Sequence, residues 1–447
     1  MKYALVSKSL DGSTIAHELV REGHSVYVWS PKKAKMLPGF QGVNRVNGTL
    51  IDFIKRNRNL TFIFDGQDFG ALQSKMRQKG LKVIGSGLLG EKIEADRMIG
   101  VNIAQKLGIQ TPETYELSSI KETISFIKKN PKKYIVKQNG NLPKTLNWTA
   151  FYEDSHDIID HLEAIQKKYG TQLDGKLVIQ ELIEGENIGV AAWWNGKDWM
   201  RTKNGIIKEI NIQHKRLLNG NRGVSTGEQG TSMMLTEEPD LIFDVALRPL
   251  EGLLERTNYV GAVDADVIYN DKGIYLCEHT LRFGYPATSL YNLFTNHKLA
   301  EFFNMIVSGN PVIPEDFLRI DEKSVIVVVA FPTYPYEEIK GEKDSFIYER
   351  LYFDALTKEE MNKMAFCEVG VEGSKYYVSG SFGYSIMVYE SGRTFKEANK
   401  KALSIIEKII PSKYALYRTD IGEDSDERLE RYKNYKPKNL PESKILG

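Results

Sequence analysis

Four short apolar runs in the first ninety residues restrict the fold more than any other feature of this chain. Residues 2–7, 24–29, 61–65 and 82–85 read as strands, and residues 13–22, 50–56 and 71–79 between them read as helices. Strands that alternate with helices call for a parallel sheet with crossover helices, so the expected class is α/β. The turn after the first strand, residues 7–13, holds one glycine, Gly12. A dinucleotide fingerprint needs several glycines there, so NAD binding is not expected. Loops at the carboxyl ends of such strands nevertheless commonly bind small ligands.

The length of 447 residues leaves room for about two to four domains with a well-buried core. Sixty basic and 59 acidic residues leave a net charge of +1, which gives no support to broad adhesion to nucleic acid or membrane. Cys277 and Cys367 lie far apart in apolar surroundings and read as core thiols of a disulfide-free cytoplasmic protein. The opening MKYALVSKSL lacks a long apolar stretch, and no run of eighteen apolar residues occurs. Neither a secretion signal nor a membrane span is expected.

Further along, residues 91–107 read as one long helix closed by Gly108, and residues 134–138 as a strand carrying Lys137 near its end. A turn-rich loop, NGNLPKT, follows at 139–145. Residues 188–194 and 199–202 suggest a hairpin turned at Asn195–Gly196, with Trp193, Trp194 and Trp199 packing rather than stacking on a ligand. The stretch HKRLLNGNRGVSTGEQG places His214, Lys215 and Arg216 beside four glycines. Backbone amides of such loops, reinforced by Lys and Arg, line anionic groups; a solvated loop is the plainer alternative. Residues 240–257 read as a helix. After about residue 315 the pattern becomes a separate α+β unit, and the closing segment, charged in both signs and poor in apolar residues, reads as loosely ordered.

Residues 259–288 carry the chemistry. They read as two strands around a turn at 270–273, with Asp264, Asp266 and Glu278 on the strands and Arg282 in the loop beyond. Few carboxylates on neighbouring strands suit a magnesium ion that also takes phosphate oxygens. Taken alone, the stretch is equally compatible with an exposed acidic strand pair.

In their order these pieces resemble the ATP-grasp superfamily, and within it the glycinamide ribonucleotide synthetase (phosphoribosylamine–glycine ligase) family. The resemblance runs over nearly the whole chain. Asp96–Arg97 sits where the family has a phosphate-binding lysine, and Lys137 in IVKQNG matches the strand lysine that contacts nucleotide. VIQELIEGEN resembles the adenine-binding hinge, with main-chain groups of Glu181, Leu182 and Ile183 facing the adenine edge. His214–Arg216 with RGVSTGEQG is similar to the substrate loop, retaining Thr226 and Gly227. EHTLRFGYP, from Glu278 to Pro286, matches a pattern of Glu, any residue, Asn, any residue, Arg, Phe, Gly, Asp, Pro. The late run YRTDIG, Tyr417 to Gly422, belongs to the same pattern.

The resemblance implies an ATP-grasp fold: an N-terminal parallel α/β domain over 1–90, an ATP-grasp domain over 91–315 with a smaller lid at about 112–190, a C-terminal α+β domain over 316–420, and a charged tail at 421–447. It implies an ATP-dependent carboxylate–amine ligase working through an acyl phosphate, with an amino acid such as glycine and an amine as small-molecule substrates. ATP and Mg²⁺, or Mn²⁺, are the implied cofactors, with Asp266, Glu278 and Thr280 as metal ligands. Arg97, Lys137, Lys144, Glu186 and Asn187 are implied nucleotide contacts; His214, Lys215, Thr226 and Gly227 are implied substrate contacts. Arg282 and Lys215 are the implied catalytic cations. Departures are concentrated elsewhere. The glycine-rich phosphate loop becomes NGNLPKT, the ribose-binding glutamate becomes Asn187 beside Glu186, and the metal-binding asparagine becomes Thr280. The N-terminal motif that holds phosphoribosylamine becomes KSLDGSTIAH, and a Gly-Pro-Glu segment becomes DGQD at 65–68. The amine is therefore expected to differ from phosphoribosylamine. The alternatives are a genuine phosphoribosylamine–glycine ligase and a catalytically silent nucleotide-binding protein.

Overall fold

The apolar runs of the first ninety residues form a parallel sheet in the computed structural model, which describes residues 1–8, 11–31, 42–138, 147–170, 176–296, 298–332, 334–335, 348–379, 384–409 and 414–437. Its strands are β1 (Lys2–Val6), β2 (Ser25–Trp29), β3 (Val43–Arg45), β4 (Thr61–Phe64) and β5 (Lys82–Ile84), in the order β3-β2-β1-β4-β5. β1 and β4 are buried almost throughout, as expected of parallel strands covered on both faces. Helix Ser13–Arg21 buries Ile15, Ala16 and Leu19 against this sheet. The strand order reverses between β1 and β4, which opens a crevice at their carboxyl ends.

A second sheet pairs β6 (Thr114–Leu117), β7 (Tyr134–Gln138), β8 (Trp148–Thr149) and β9 (Leu177–Glu181) in the order β6-β9-β7-β8. Helices Ile120–Lys129 and His156–Tyr169 close it with a small core that includes Ile120, Ile127, Leu162 and Ile179. No residue outside 117–179 enters that core among the described residues.

The remaining strands are β10 (Glu186–Trp194), β11 (Lys208–Gln213), β12 (Arg216–Leu218), β13 (Arg222–Ser225), β14 (Gly230–Thr236), β15 (Gly261–Asn270), β16 (Gly273–Thr280), β17 (Lys323–Ala330), β18 (Arg350–Leu351), β19 (Met364–Phe366), β20 (Val369–Glu372), β21 (Lys375–Val378) and β22 (Tyr384–Gly392). Eight of them form one sheet in the order β16-β15-β10-β11-β14-β17-β22-β19. β12 and β13 make a small hairpin, and β18, β21 and β20 a three-stranded sheet. Helix Phe395–Ile409 covers β17 and β22 with Ala402, Ile405 and Ile406. Each of the two isoleucines contributes about 1.5–3 kcal/mol relative to exposure.

Four expectations change here. The C-terminal strands do not form a separate unit: β17 hydrogen-bonds to β14, so β17, β22 and β19 extend the central sheet. The long helix over 91–107 is two helices, Gly87–Ala95 and Arg97–Lys106, because Asp96 is extended and its carboxylate caps the second through the amides of Met98 and Ile99. The helix over 240–257 becomes a π turn, a 3₁₀ turn holding Pro249, and the α-helix Glu251–Arg256. Pro249 has no amide to continue an α-helical ladder. Finally, the charged tail contains an ordered helix, Ser425–Lys433, whose Leu429 and Tyr432 are buried. The three tryptophans are buried, with Trp193 donating to Glu209 at 3.0 Å and to Tyr291 at 2.7 Å.

Candidate active site

Period-two alternation gives β10, β11, β15 and β16 two chemically distinct faces. Ile188, Val190, Ile210, Ile212, Ala265 and Val267 point into the main core. The register sets Gly189 opposite both Asn211 and Asp266, and Asp266 opposite Glu278, so these residues share the other face. A Cβ on Gly189 would lie 2.1 Å from Asn211 Oδ1. Glycine is thus required there for the Asn211 side chain to cross the strand and donate to Asp264 at 3.4 Å. Gln213 in turn donates to Asn211 at 3.1 Å.

Cations gather on the carboxylates of this face. Lys215 Nζ lies 2.5 Å from Asp266 Oδ2 and 3.4 Å from Glu278 Oε1, and Arg97 Nη1 lies 3.5 Å from Glu278 Oε2. Asn187 Nδ2 donates to Asp266 Oδ1 at 2.6 Å. Burial opposes the Lys215 charge, but Asp266 and Glu278 outweigh it and hold the ammonium pKa above its ordinary value. Lys215 in turn holds the Glu278 carboxyl well below the usual carboxylate range, against the effect of burial. Burial, helped by Asp266, pushes Asp264 up to about 8. Burial pushes Glu228 up to about 8 as well, although Thr231 donates to it and Lys215 counters the rise. Lys137 donates to Gln180 at 3.3 Å and is pushed down by burial and by Arg97. Arg282 donates through Nε to Glu94 at 2.8 Å and through Nη1 to the Phe283 carbonyl at 3.0 Å. Glu94 raises the Arg282 pKa, and burial raises that of Glu94.

Arg97, Lys137, Glu278, Thr280 and Arg282 line one cavity of about 440 Å³. A wider cleft of about 1170 Å³ is lined by Glu181, Leu182, Ile183, Glu186, Tyr269 and Tyr435, among others, and meets the first cavity at Thr111. Among the described residues no group of three or more His, Cys, Asp and Glu side chains is arranged to hold a metal. Two carboxylates, Asp266 and Glu278, nevertheless converge on one cation, the Lys215 ammonium. That donor set fits a divalent ion completed by phosphate oxygens.

Residues 95–288 match the phosphoribosylglycinamide synthetase ATP-grasp (A) domain. Phosphoribosylamine–glycine ligase of Streptococcus pneumoniae is 26% identical over 441 residues, covering 94% of this chain and 99% of that protein. The Clostridium acetobutylicum phosphoribosylamine–glycine ligase is 26% identical over 387 residues, covering 83% and 86%. The chain is thus similar to phosphoribosylamine–glycine ligases over most of its length. The crystal structure of the Thermotoga maritima phosphoribosylamine–glycine ligase has the same fold, with a TM-score of 0.69 at 19% identity over 94% of this chain and 100% of that one.

Among the residues expected from the family pattern, Arg97, Lys137, Lys215, Asp266, Glu278, Thr280 and Arg282 come together. Glu181, Leu182 and Ile183 line the wider cleft, where the Leu182 amide is already bound to the Lys133 carbonyl at 2.8 Å. Lys144 lies outside the described residues. Glu186 does not join the cluster. It sits one residue from Asn187 and therefore on the opposite face of β10, where Arg431 holds it at 2.9 Å and Arg428 at 3.4 Å. Asn187 does face the cluster, but its amide goes to Asp266. His214 is 3% exposed, and neither ring nitrogen has a partner among the described residues. Burial, with Arg418 and Arg428 adding to it, lowers its pKa to about 3, so the ring is neutral. Thr226 turns inward and binds the Lys215 carbonyl through its hydroxyl at 2.8 Å and its amide at 2.7 Å, closing the loop behind the lysine. Gly227 packs against Tyr384, whose hydroxyl would lie 2.6 Å from a Cβ there.

Several neighbours were not singled out from sequence. Glu209, Asn211 and Gln213 are the polar positions on one face of β11, and the alternation KEINIQ could have found them. Glu94 lies on a helix, with no signal pointing to Arg282. The YRTDIG run fastens the loop that carries Lys215. Arg418 donates to the Arg216 carbonyl at 3.1 Å and to Asn221 Oδ1 at 2.9 Å, while the Gly220 amide donates to Asp420 at 2.8 Å.

Proposed function

We propose that this protein is an ATP-dependent carboxylate–amine ligase of the phosphoribosylamine–glycine ligase type whose amine substrate departs from phosphoribosylamine. The reading is carried by one observation: Lys215 bridges the opposed carboxylates Asp266 and Glu278 beside a cavity that also holds Arg97, Lys137 and Arg282. Such chemistry must bring a carboxylate and a γ-phosphate, both anions, to within about 3–3.5 Å of each other. Asp266 and Glu278, with the hydroxyl of Thr280, would hold Mg²⁺ or Mn²⁺, which when bound supplies charge neutralisation to the phosphate oxygens. Arg97 and Lys137 grip the nucleotide phosphates, and the hinge over 181–183 reads the adenine edge. Asp266 and Glu278 would hold the ion, which would leave the Lys215 ammonium to grip the substrate carboxylate. Arg282, oriented by Glu94, presents its remaining guanidinium donors to the transferring phosphoryl group, from a fixed plane that lysine cannot copy. The amine attacks the resulting acyl phosphate, phosphate leaves, and an amide forms. No covalent protein nucleophile enters this sequence of steps.

Coverage of almost the full length of the Streptococcus pneumoniae ligase favours a second reading, in which phosphoribosylamine itself is the amine. The deciding measurement is ADP release with ATP, Mg²⁺ and glycine, or other amino acids, in the presence of phosphoribosylamine and of unphosphorylated amines. Turnover dependent on both a carboxylate and an amine is expected. Intact nucleotide binding without ADP release for any pair would refute the ligase assignment, and efficient turnover with phosphoribosylamine would refute the altered amine.

A further inference from the structure

We infer that Asp65 is a specificity-determining residue that bars a phosphate from the amine end of the cleft, so that the nucleophile is an unphosphorylated amine bearing hydroxyl or further ammonium groups. This rests on the ligase reading above. In an open parallel sheet, ligands settle outside the carboxyl ends of the strands where the strand order reverses, here between β1 and β4. The first helix begins at Ser13 just beyond β1, and its leading amides carry the positive end of the helix dipole. Those amides would suit an anionic ligand group. The chain fills that seat itself. Asp65, the residue after β4, is 2% exposed, and its Oδ2 accepts hydrogen bonds from the Gly12 amide at 2.7 Å and from the Ser7 hydroxyl. The fit is close: a Cβ on Gly12 would lie 2.6 Å from the Asp65 Cβ. A phosphate would compete for the same donors and set its charge against a fixed carboxylate.

The crevice opens on the reacting end of the cleft. Gln67, two residues beyond Asp65, lines the cavity that holds Arg97, Glu278 and Arg282. Asp11, beside Gly12, is near enough to add to the electrostatic environment of both Arg282 and Tyr285. The Tyr285 hydroxyl is buried without a hydrogen-bond partner among the described residues, which leaves it to meet a polar group of a ligand. Lys8 is engaged by Asp68 at 3.1 Å. The edge therefore sets the carboxylates of Asp11 and Asp65 beside neutral hydrogen-bonding groups such as the Tyr285 hydroxyl, a setting for hydroxyl and ammonium groups rather than for a phosphate.

The test is isothermal titration of the full chain at pH 8, with Mg·ADP present to fill the nucleotide side, using ribose 5-phosphate and ribose as probes. The wild type is expected to bind ribose 5-phosphate no more tightly than ribose. Asp65→Ser, which empties the seat, should bind ribose 5-phosphate at least tenfold more tightly than the wild type, with no comparable gain for ribose. Asp65→Asn keeps the shape and removes the charge, and serves where the serine variant fails to fold. A wild type that prefers ribose 5-phosphate tenfold or more, or folded variants that gain nothing for it, would overturn the inference. Binding is read without turnover, so a failure of the ligase reading, seen as absent ADP release, stays distinct from a failure here.

Discussion

Replacing Arg418 with alanine removes a guanidinium that is 1% exposed and donates twice to Asp420 at 2.7 Å, once to the Arg216 carbonyl at 3.1 Å and once to Asn221 Oδ1 at 2.9 Å. Removing one partner of a buried ion pair costs about 3–5 kcal/mol, because the other charge is left without compensation. The Asp420 side chain is 26% exposed and keeps the Gly220 amide, so water relieves part of the loss. The expected destabilisation is therefore at the lower end, about 3 kcal/mol. Arg418→Lys keeps the charge but not the planar fork, and about 1–3 kcal/mol should be lost. Guanidinium chloride unfolding of both variants gives these values. The second readout is the loop. With its tether gone, the exposed strand β13 (Arg222–Ser225) should be cut faster by trypsin, and KM for the carboxylate substrate should rise about tenfold with kcat nearly unchanged. A loss below about 1 kcal/mol together with an unaltered KM would refute the idea that the late YRTDIG run holds the substrate loop.

Glu278→Gln should lower Mg²⁺-dependent ADP release about 10²–10³-fold while leaving the melting temperature close to that of the wild type; retained turnover would remove Glu278 from the site. Lys215→Met should raise KM for the carboxylate substrate, and it should also tighten Mn²⁺ binding in the absence of nucleotide, measured by electron paramagnetic resonance, because the ammonium no longer competes for Asp266 and Glu278. His214 supplies a pH dependence. Burial and the nearby Arg418 and Arg428 hold its pKa at about 3 against an ordinary 6.5. Below pH 6.5 the unfolded chain takes a proton that the folded chain refuses, so stability present above pH 6.5 is lost as the pH falls toward 3, by up to about 1.4 kcal/mol per pH unit. His214→Phe should flatten that slope in urea titrations between pH 7 and 4.

Much of the site could be read from the chain because strand alternation fixes which side chains share a face. Asp266 and Glu278 meet across a hairpin whose turn and period are both visible in the residues. The same rule separates Glu186 from its neighbour. Adjacent strand residues point to opposite faces, so Asn187 turns to Asp266 while Glu186 lines the wider cleft. The break in the helix at Asp96 was legible in principle, since an aspartate that can cap the next two amides is a helix-start signal. The helix Ser425–Lys433 was hidden by its composition. Its charged residues dominate the count, while the order comes from Tyr432, which donates to Asp240 at 2.5 Å and packs on Tyr269. The pairing of Glu94 with Arg282 joins residues 188 positions apart, and no periodicity carries information over that distance.

The late segments have a consequence for how the protein is made. Arg418 fastens the loop that carries Lys215, and Arg428 grips the Asn187 carbonyl at 2.6 Å on the strand whose side chain steadies Asp266. A ribosome delivers these two arginines after every other member of the cluster has left the exit tunnel. During synthesis β15 and β16 can pair, but the lysine loop and the edge of β10 stay untethered until the residues beyond 415 emerge. A chain that stops short of these arginines lacks both anchors of the carboxylate face.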